Sequence, residues 1–415
     1  MFALSLLAVL VMVWSAVLIG HRRLLAGSWR EPVFREPVLI VESDDWGPGP
    51  QAHALALRRI CDVLRRRRDR HGRAAVMTIG VVLAVPDNAA IRSAGYRRYV
   101  RTSLLDRAFA PMRSALDDGR AAGVLSLQLH GLEHLWPTAF LQAAAHDPRV
   151  RQWIDENSGI DTEGLPPAIQ SRWTDAASLP SRPLDREHIR DAVREETQRF
   201  ALCFGVPPEV AVPPTFVWNG EVERAWAACG VRTIITPGRR HTARGADGRP
   251  AAVDRGMRNG DTADGGCLYL VRDIYFEPAL GHTAERARDA ALQRFRLGRP
   301  ALFETHRFNF VGEAAVADKS LAELERLLDG ALRTWPTLRF MSSAELADAV
   351  RRSDAALLEG DLRRRAVIWL RRLAAHTRLR RLAWLTGLAL PAGLLYLLGG
   401  GATVARPPSM LECSR

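Results

Sequence analysis

Two short strings of acidic and imidazole residues are the parts of this 415-residue chain that could do chemistry. The string 42–46 contains the adjacent pair Asp44 and Asp45, and the string 130–134 begins and ends with His130 and His134. Carboxylate and imidazole groups together form a common ligand set for a divalent metal ion such as Zn²⁺, with one position left for a water. The residue types therefore predict a divalent-metal site that could lower the pKa of a bound water.

Each of these residues follows a short apolar run that is typical of a buried strand. The runs are Val38–Val41 before the aspartates, Val124–Leu129 before His130, and Ala301–Thr305 before a further histidine, His306. In α/β barrels the functional groups gather at the carboxyl ends of the strands. We therefore expect the acidic and imidazole groups to meet at one edge of the sheet, where His306 could serve as a proton donor.

The whole chain alternates strand and helix patterns. Further strands are predicted at residues 75–83, 210–212, 232–236, 268–274 and 338–341. About eight strands alternating with helices predict an α/β fold, a parallel (β/α) barrel of seven to eight strands that is closed or nearly closed. Residues 136–183 are irregular and predict an insertion or a lid, and residues 239–266 predict a long loop.

Adjacent side chains on a strand point to opposite faces. One of Asp44 and Asp45 could then bind a metal while the other faces the substrate water. The alternative is a solvated turn, because two aspartates before Gly47 and Pro48 are also good turn chemistry. Likewise, His130 and His134 could be two surface histidines rather than a ligand pair.

Two uncharged segments lie at the ends of the chain. Residues 2–20 would form a helix of about 28 Å, close to the thickness of a bilayer core. Residues 382–405 follow eight arginines between positions 363 and 381, which supply much of the net charge of +12. We predict a transmembrane anchor at 1–23, a barrel domain at 24–343, a basic helical region at 344–381 and a second membrane helix at 382–405.

Charge and cysteine content narrow the class of protein. The basic residues beside both apolar segments place the barrel domain on the cytoplasmic side of a cell (inner) membrane. Arginines without interleaved aromatic side chains disfavour nucleic acid as a partner. Five scattered cysteines, with no C-x-x-C pair, predict neither a disulfide framework nor a zinc knuckle. The oligomeric state stays open.

The joint pattern of motifs resembles one known family. Asp-Asp after the first strand, H-x-x-x-H after the third and a late strand-end histidine are similar to the polysaccharide deacetylases, the NodB-homology carbohydrate esterases of family four, over residues 38–341. The resemblance implies Asp44 as general base, Asp45, His130 and His134 as metal ligands, and His306 as general acid.

The same resemblance implies a substrate and a location. The expected reaction is metal-dependent removal of an acyl group, N-acetyl above all, from a glycan or a lipid-linked sugar at the membrane. Family members usually act outside the cytoplasm, in conflict with the charge bias above.

The chain departs from the family pattern at three places. Trp46 and Gly131 replace residues typical of the first two motifs, and residues 211–216 lack the arginine of the third motif. Arg272, Arg307 or Asn219 could orient Asp44 in its place. We assign these three residues, together with Trp46, to the substrate-binding part of the site.

Two other functions remain open at this stage. His130-Gly131-Leu132-Glu133-His134 also matches the H-x-x-E-H signature of inverzincin metalloproteases, in which Glu133 would be the base within a long helix. The missing third-motif arginine would also suit a non-catalytic, membrane-anchored carbohydrate-binding or scaffold protein with a decayed site.

Overall fold

The computed structural model describes residues 2–400, which form a curled sheet surrounded by helices. The strands are β1 (Val38–Trp46), β2 (Met77–Val81), β3 (Ala84–Pro86), β4 (Arg101–Ser103), β5 (Leu125–Leu129), β6 (Val210–Ala211), β7 (Thr233–Thr236), β8 (Arg239–Arg244), β9 (Pro250–Gly256), β10 (Leu268–Val271), β11 (Ile274–Tyr275), β12 (Ala301–His306) and β13 (Arg339–Phe340). The strands predicted from the sequence are present, with bounds that differ by a few residues, except that the predicted strand at 268–274 divides into β10 and β11.

The helices alternate with these strands along the chain. They are α1 (Phe2–Gly20), α2 (Arg22–Arg30), α3 (Gln51–Arg65), α4 (Asn88–Ser93), α5 (Ala110–Ala121), α6 (Pro137–His146), α7 (Pro148–Glu156), α8 (Arg186–Phe204), α9 (Gly220–Ala228), α10 (Ala284–Arg296), α11 (Ala314–Thr334), α12 (Ser343–Arg351), α13 (Leu362–Ala375), α14 (Thr377–Leu385) and α15 (Ala389–Leu398).

The main sheet is parallel and strongly curled. Its strands follow the order β10-β7-β6-β5-β2-β1-β12-β11, with β13 beside β1, and every pair is parallel. The two ends of this order, β10 and β11, are joined in the chain by only Arg272 and Asp273. The sheet therefore curls until its ends are covalently connected, which agrees with the predicted parallel α/β fold.

The core explains why the strands form where they do. All nine residues of β1 are buried, as expected for a strand covered on both faces in a parallel sheet. On the outside, α3 packs one apolar stripe that includes Leu57, Ile60 and Leu64. The helix α8 begins at Asp185, which accepts bonds from two backbone N–H groups.

The segment 136–183 is an insertion with its own small core. Its helices α6 and α7 bury Phe140, Trp153 and Ile154 in a cluster separate from that of the sheet. The sequence predicted an irregular insertion or lid here, and the structure adds two helices to it.

The predicted long loop at 239–266 is wrong, because most of it forms the antiparallel hairpin of β8 and β9. The hairpin is hard to recognise from the sequence. Most side chains of β9 are exposed or half-buried, so the strand lacks the alternation of apolar and polar residues that marks a strand with one buried face.

The C-terminal helices are part of the folded body. Leu346 and Ala347 of α12 pack in a cluster with Val38 and Ile40 of β1, so the core continues past the predicted domain boundary at residue 343. In α13 the buried Arg372 donates hydrogen bonds to the backbone carbonyls of Glu31, before β1, and of Leu297, before β12.

The predicted membrane helix at 382–405 is not one helix. It is divided by a break between α14 and α15, where Gly387 has a φ of 74°, and residues 401–405 lie outside the described residues. Among residues 2–400, no single helix is long and apolar enough to cross a bilayer, and only two bent pairs of helices reach that length and composition together. The pairs α1–α2 and α14–α15 are bent by 62° and 107°.

Candidate metal centre and active site

A cavity of about 230 Å³ lies at the carboxyl ends of the strands and contains most of the predicted site residues. Its lining includes the five residues to which the sequence analysis gave a metal-binding or proton-transfer role. The full lining is Asp44, Asp45, His130, His134, Glu163, Gln170, Pro213, Thr215, Phe216, Arg272, Glu304, His306 and Phe308.

Both Asp44 and Asp45 line this cavity, although adjacent strand residues should face opposite sides. The reason is a bulge. The register between β1 and β2 shifts between Ser43 and Trp46, and Asp45 has a φ of 69°, in the left-handed region. Bulges of this kind redirect a side chain and are frequent beside active sites. The expectation that the two aspartates diverge is therefore corrected by the backbone.

The two histidines lie on a loop that directly follows β5. Residues 130–136 are not helical, and the rings of His130 and His134 are 5.0 Å apart between centroids. Gly131 between them has a φ of 96°, which side-chain-bearing residues rarely adopt. This backbone demand accounts for glycine at a position where the resembling family has serine or threonine.

Asp45, His130 and His134 form a group suited to one metal ion. One ligand atom from each lies within 4.8 Å of the others. The Nε2 atoms of His130 and His134 are 3.3 and 3.4 Å from Oδ1 of Asp45. All three side chains are buried.

The hydrogen bonding of this trio fits a cation. His130 Nδ1 donates to the carbonyl of Val212 at 3.1 Å, so Nε2, which faces Asp45, is the nitrogen available to a cation. Neither this Nε2 nor Asp45 Oδ1 has a hydrogen-bond partner among the described residues, although both are buried. Unpaired buried polar atoms are rare, and a shared cation would satisfy these two together.

The electrostatics of the trio are consistent with this arrangement. Burial raises the pKa of Asp45, but the nearby imidazoles outweigh it and hold that pKa far below its usual range. Burial lowers the pKa of His134 to about 4. Burial also opposes charge on His130, yet the carboxylates of Asp44 and Asp45 raise its pKa above the ordinary value.

Asp44 is held by Arg272, which lies at the junction between β10 and β11. Arg272 Nη2 donates to Asp44 Oδ2 at 2.6 Å, and both side chains are buried. Burial raises the pKa of Asp44, but Arg272 outweighs it, so the pKa lies below the usual value. Of the three residues suggested as a replacement for the missing arginine, Arg272 is the one that contacts Asp44.

Arg272 also connects Asp44 to the acidic interior of the sheet. Its Nη1 donates to Glu42 Oε2 at 2.6 Å, and its Nε lies 3.4 Å from Glu304 Oε2. Glu42 in turn accepts hydrogen bonds from Ser343 of α12 and from Gln128 of β5. One guanidinium therefore fixes three carboxylates from two neighbouring strands.

His306 faces the cavity from the end of β12 and is oriented by Glu277. The distance from His306 Nδ1 to Glu277 Oε1 is 2.6 Å. Asn309 also donates to Glu277, which fixes that carboxylate. Burial disfavours the charged imidazole, but the hydrogen bond to Glu277 and the charges of Asp45 and Glu304 outweigh it and raise the pKa of His306 to about 10. His306 is thus protonated near neutral pH.

The cavity carries an excess of acid. Four carboxylates belong to its lining, those of Asp44, Asp45, Glu163 and Glu304, against the guanidinium of Arg272 and a protonated His306. Burial raises the pKa of Glu304 and of Glu163, the response of acids that are crowded together out of water. A divalent cation would relieve this crowding.

The insertion contributes one wall of the cavity. Glu163 and Gln170 line it, and Glu163 Oε1 accepts a hydrogen bond from Arg307 Nη2 at 2.8 Å. Arg307 directly follows His306, is buried and also contacts Asp161. It therefore connects the insertion to the end of β12. Arg307 does not line the cavity, so it has no contact there that would fit its assignment to substrate binding.

A second wall comes from the loop between β6 and α9. Thr215 and Phe216 both line the cavity and have φ values of 55° and 54°, unusual for residues with side chains. The Phe216 ring lies under the guanidinium of Arg272, at 5.2 Å from its centroid. Such local strain is often concentrated at functional sites.

Two other residues assigned to substrate binding lie away from the cavity. The side chain of Trp46 is fully buried, and its Nε1 donates to Ser43 Oγ at 2.8 Å. Asn219 caps α9 by accepting hydrogen bonds from the backbone of Glu221 and Val222. The bulge at Asp45 turns Trp46 into the core, and helix capping occupies Asn219.

Glu133 is also withdrawn from the trio. It is fully buried and forms ion pairs with Arg101 and Arg172, at 2.6 and 2.7 Å. The cavity lining does not include it. A glutamate held by two guanidinium groups on the far side of a non-helical loop does not have the geometry of the base in an H-x-x-E-H helix.

Three acidic residues of the site were missed from the sequence. Glu277 follows β11, Glu304 lies within β12, and Glu163 lies in the insertion. Only Glu304 carried a usable signal, because it stands two residues before His306 on a strand and therefore on the same face. The other two are brought in by the fold.

Comparisons with known proteins give distant structural likenesses. No family model and no curated protein sequence matches the chain. The chain is similar to a family 4 carbohydrate esterase of Streptomyces lividans, with 12% identity over 74% of this chain and 92% of that one and a TM-score of 0.33. It is similar to a peptidoglycan deacetylase of Bacillus subtilis, with 9% identity over 79% and 95% of the two chains and a TM-score of 0.36.

A third likeness is to an enzyme named for a different activity. It is a 4-alpha-glucanotransferase of Thermococcus litoralis, with 9% identity, a TM-score of 0.39, and coverage of 79% of this chain but 41% of that one. Carbohydrate esterases and deacetylases thus recur among the similar structures.

Proposed function

We propose that this chain is a divalent-metal-dependent hydrolase that removes an acyl group from a sugar of a glycan. The observation that carries the proposal is the meeting of Asp45, His130 and His134 in one cavity that also contains Asp44 and His306. A metal-binding trio, an ionised carboxylate and a protonated imidazole are the groups that hydrolysis of an amide or ester requires.

In this proposal the trio holds the cation. A divalent cation bound there would act as a Lewis acid, which lowers the pKa of a water and polarises the carbonyl of the substrate. One carboxylate and two imidazoles, with an open fourth position, are ligands that suit Zn²⁺. We therefore propose zinc as the metal.

Asp44 takes up the proton of the attacking water. Arg272 occupies Asp44 Oδ2, whereas Asp44 Oδ1 is buried and has no hydrogen-bond partner among the described residues. The lowered pKa keeps Asp44 ionised at neutral pH, so this oxygen can accept a proton. The ion pair with Arg272 holds the carboxylate in one orientation for that transfer.

His306 donates a proton to the leaving group. It is protonated near neutral pH, and the bond from its Nδ1 to Glu277 leaves Nε2 as the nitrogen that can face a substrate. An amide leaves as an amine, which is expelled only when it is protonated. A histidine held in its charged form suits N-acetyl groups, and we propose an N-deacetylase.

The two alternative functions lose the observations that motivated them. The protease needs Glu133 as a free base, and Glu133 is bound by Arg101 and Arg172. The scaffold protein was motivated by the missing third-motif arginine, and Arg272 supplies a guanidinium to Asp44. We therefore retain the hydrolase as the proposed function.

The test is acetate release from N-acetylated and O-acetylated sugars by the full chain, measured before and after chelation and after addition of Zn²⁺. We expect release from N-acetyl sugars that is lost on chelation and restored by the metal. The Asp44→Asn variant should lose about 10²- to 10⁴-fold in kcat, the usual contribution of a general base.

A matched control and two outcomes complete the test. Asp247→Asn changes an exposed aspartate of the β8–β9 turn and should leave acetate release unchanged. Release from esters alone would contradict the N-deacetylase assignment. Full activity in Asp44→Asn, or activity that survives chelation, would contradict the proposed hydrolase.

A further inference from the structure

Helices near the two ends of the described chain lie beside each other and carry exposed apolar side chains. Met12 and Ile19 of α1 are exposed, as are Trp384 and Leu385 of α14. Leu390 and Leu398 of α15 are also exposed. We call these six side chains the terminal apolar patch.

Hydrogen bonds join the segments that carry the patch. Trp14 of α1 donates from Nε1 to the carbonyl of Thr386, between α14 and α15, at 2.8 Å. Behind the patch, Trp369 of α13 donates to the carbonyl of Leu25 in α2 at 3.0 Å. The helices α1 and α2 and the helices α13 to α15, far apart in sequence, are therefore one structural unit.

The surroundings of the patch are basic. No acidic residue occurs between positions 362 and 400, and α14 carries Arg378, Arg380 and Arg381 directly before its apolar end. These three arginines are exposed, and none forms an ion pair with any residue in the described part of the chain. On the N-terminal side, Arg22 and Arg23 follow α1 and are also exposed.

This combination fits a lipid bilayer with anionic headgroups better than a protein partner. Apolar side chains flanked by unpaired arginines form the signature of segments that enter the interface of an anionic membrane. Trp384 is 70% exposed between the arginines and the leucines, the position that tryptophan prefers at a membrane surface.

The helix α13, which packs against α2, α14 and α15, is attached at the end of the sheet opposite to the cavity. Arg372 of α13 donates hydrogen bonds to the carbonyls of Pro32 and Gly298, which precede the first residues of β1 and β12. Asp44 and His306 lie at the other ends of the same two strands. From Val38 to Asp44 the chain advances six residue steps, about 20 Å of strand.

We infer that the chain docks on an anionic bilayer through the terminal apolar patch and holds its cavity on the far side of the barrel from that bilayer. The docking does not depend on the proposed reaction. The orientation refines that reaction, because the cavity would then receive a glycan from the aqueous side rather than a sugar carried on a lipid of the same bilayer.

Vesicle flotation of the full chain tests the docking. Vesicles of phosphatidylcholine alone are compared with vesicles that also contain phosphatidylglycerol. We expect the chain to float with the anionic vesicles and much less with the neutral ones. The exposed-arginine variant R378Q/R380Q/R381Q should bind more weakly, on the order of fivefold for each arginine removed.

The apolar half of the surface has its own variant and control. L385D/L390D/L398D should abolish flotation, whereas Leu202→Asp, which changes a leucine of α8 that is 72% exposed but distant in sequence from the patch, should not. Flotation that is absent in the wild type, or unchanged in both sets of patch variants, would overturn the proposal. So would a stable dimer that these patch variants convert to monomers without any vesicle binding.

Hydrogen exchange on the vesicle-bound chain tests the orientation. We expect added protection in α14 and α15, and unchanged exchange in the cavity loops 130–136 and 213–219. Protection of those loops by vesicles would overturn the orientation while leaving the docking in place. Acetate release is measured separately, so loss of that activity would count against the proposed hydrolase and not against the docking.

Discussion

Asp45 reaches the two histidines only because its own backbone is left-handed. In a regular strand, Asp44 and Asp45 would face opposite sides of the sheet, and one of them would lie in the packed layer between sheet and helices. The bulge before Trp46 turns both carboxylates into the cavity and sends the Trp46 indole into the core. One irregular residue thus assembles the metal trio and explains why Trp46 does not contact the cavity.

The first prediction separates metal binding from proton transfer. The double variant H130A/H134A should lose the divalent cation, because two of its three ligands are removed, while Asp44→Asn should retain the cation and lose catalysis. Metal content of the purified variants and their acetate release are the two measurements. A double variant that still binds one equivalent of zinc would show that the cation lies elsewhere.

The second prediction concerns the alkaline limb of the pH profile. His306 must be protonated to act as an acid, so activity should fall as the pH rises through its pKa of about 10. A bound cation offsets the charge of Asp45, which contributes to that value, so the limb of the loaded protein should lie at or below pH 10. Removing the Glu277 carboxylate in Glu277→Gln should move the limb to lower pH.

The matched control for that profile is Glu285→Gln, which changes an exposed glutamate of α10 and should leave the limb where it is. The pH dependence of kcat is the quantity to compare. An unchanged limb in Glu277→Gln would mean that Glu277 does not hold the charge of His306.

At the scale of elements, the junction of β10 and β11 carries the guanidinium that orients Asp44. These two short strands lie at opposite ends of the strand order, and the two residues between them are Arg272 and Asp273. From that position Arg272 contacts carboxylates of both β1 and β12. The point at which the curled sheet meets itself is therefore also the point that fixes the proposed base.

The third prediction is that Arg272→Lys lowers kcat by about 10²-fold, the cost of misplacing a reacting group by about 1 Å, with a smaller effect on KM. Lysine keeps the charge but cannot hold Asp44 and Glu42 in one fork. Cation binding should persist, since the trio is intact. Arg240→Lys, in a separate ion-pair cluster with Glu223 and Asp254, should leave kcat unchanged.

Removing the charge at position 272 should be more severe. Arg272→Met leaves three buried carboxylates without their cation, which should destabilise the fold by about 3–5 kcal/mol. Chemical denaturation measures that loss. If Arg272→Met is as stable and as active as the wild type, the guanidinium has no part in holding Asp44.

The fourth prediction depends on the close approach of β2 to β1. A Cβ atom on Gly80 would lie 2.2 Å from Asp44 Oδ1, so Gly80→Ala must displace that carboxylate. We expect a large loss of kcat and a destabilisation of about 1–3 kcal/mol, typical of inserting a methyl group into a packed site. Gly360→Ala, where a Cβ meets nothing within 4 Å, is the control. Unchanged kcat in Gly80→Ala would show that Asp44 has room to move without loss.

At the scale of the whole molecule, the acidic cavity links metal binding to stability. Its four carboxylates are crowded without a cation, and the folded state alone brings the trio together. A ligand that binds only the folded state stabilises it by an amount that grows with the logarithm of the ligand concentration relative to Kd. The cation should therefore act as a structural as well as a chemical component.

The fifth prediction is that zinc at 100 times its Kd raises the free energy of unfolding by about 2.7 kcal/mol. Chelation should remove this gain, and H130A/H134A should not show it. The apparent affinity should rise with pH, because the raised pKa of His130 means that the cation must displace a proton from it. Denaturation at several pH values measures both effects. Equal stabilisation of the double variant would contradict a cation at this trio.

Much of the fold was determined by local pattern. Buried parallel strands require continuous apolar runs, and these runs identified the main sheet, including the strands that carry or precede Asp44, His130 and His306. The strands β10 and β11 were predicted as one strand at 268–274. Because the carboxyl ends of parallel strands share one edge, strand-end placement alone predicted that these residues would meet. The hairpin of β8 and β9 was not predicted, because a strand with no buried face lacks the apolar pattern that identifies strands.

The tertiary structure alone decided the contacts between parts of the chain that are distant in sequence. Arg272 lies 228 residues from Asp44, and nothing in the sequence selects it over Arg307 or Asn219. The hydrogen bond between Glu277 and His306, and the one between α1 and the break that separates α14 from α15, also connect residues that no sequence pattern pairs. Apolar periodicity specifies where each element forms, but only the packed sheet determines which polar side chains become neighbours.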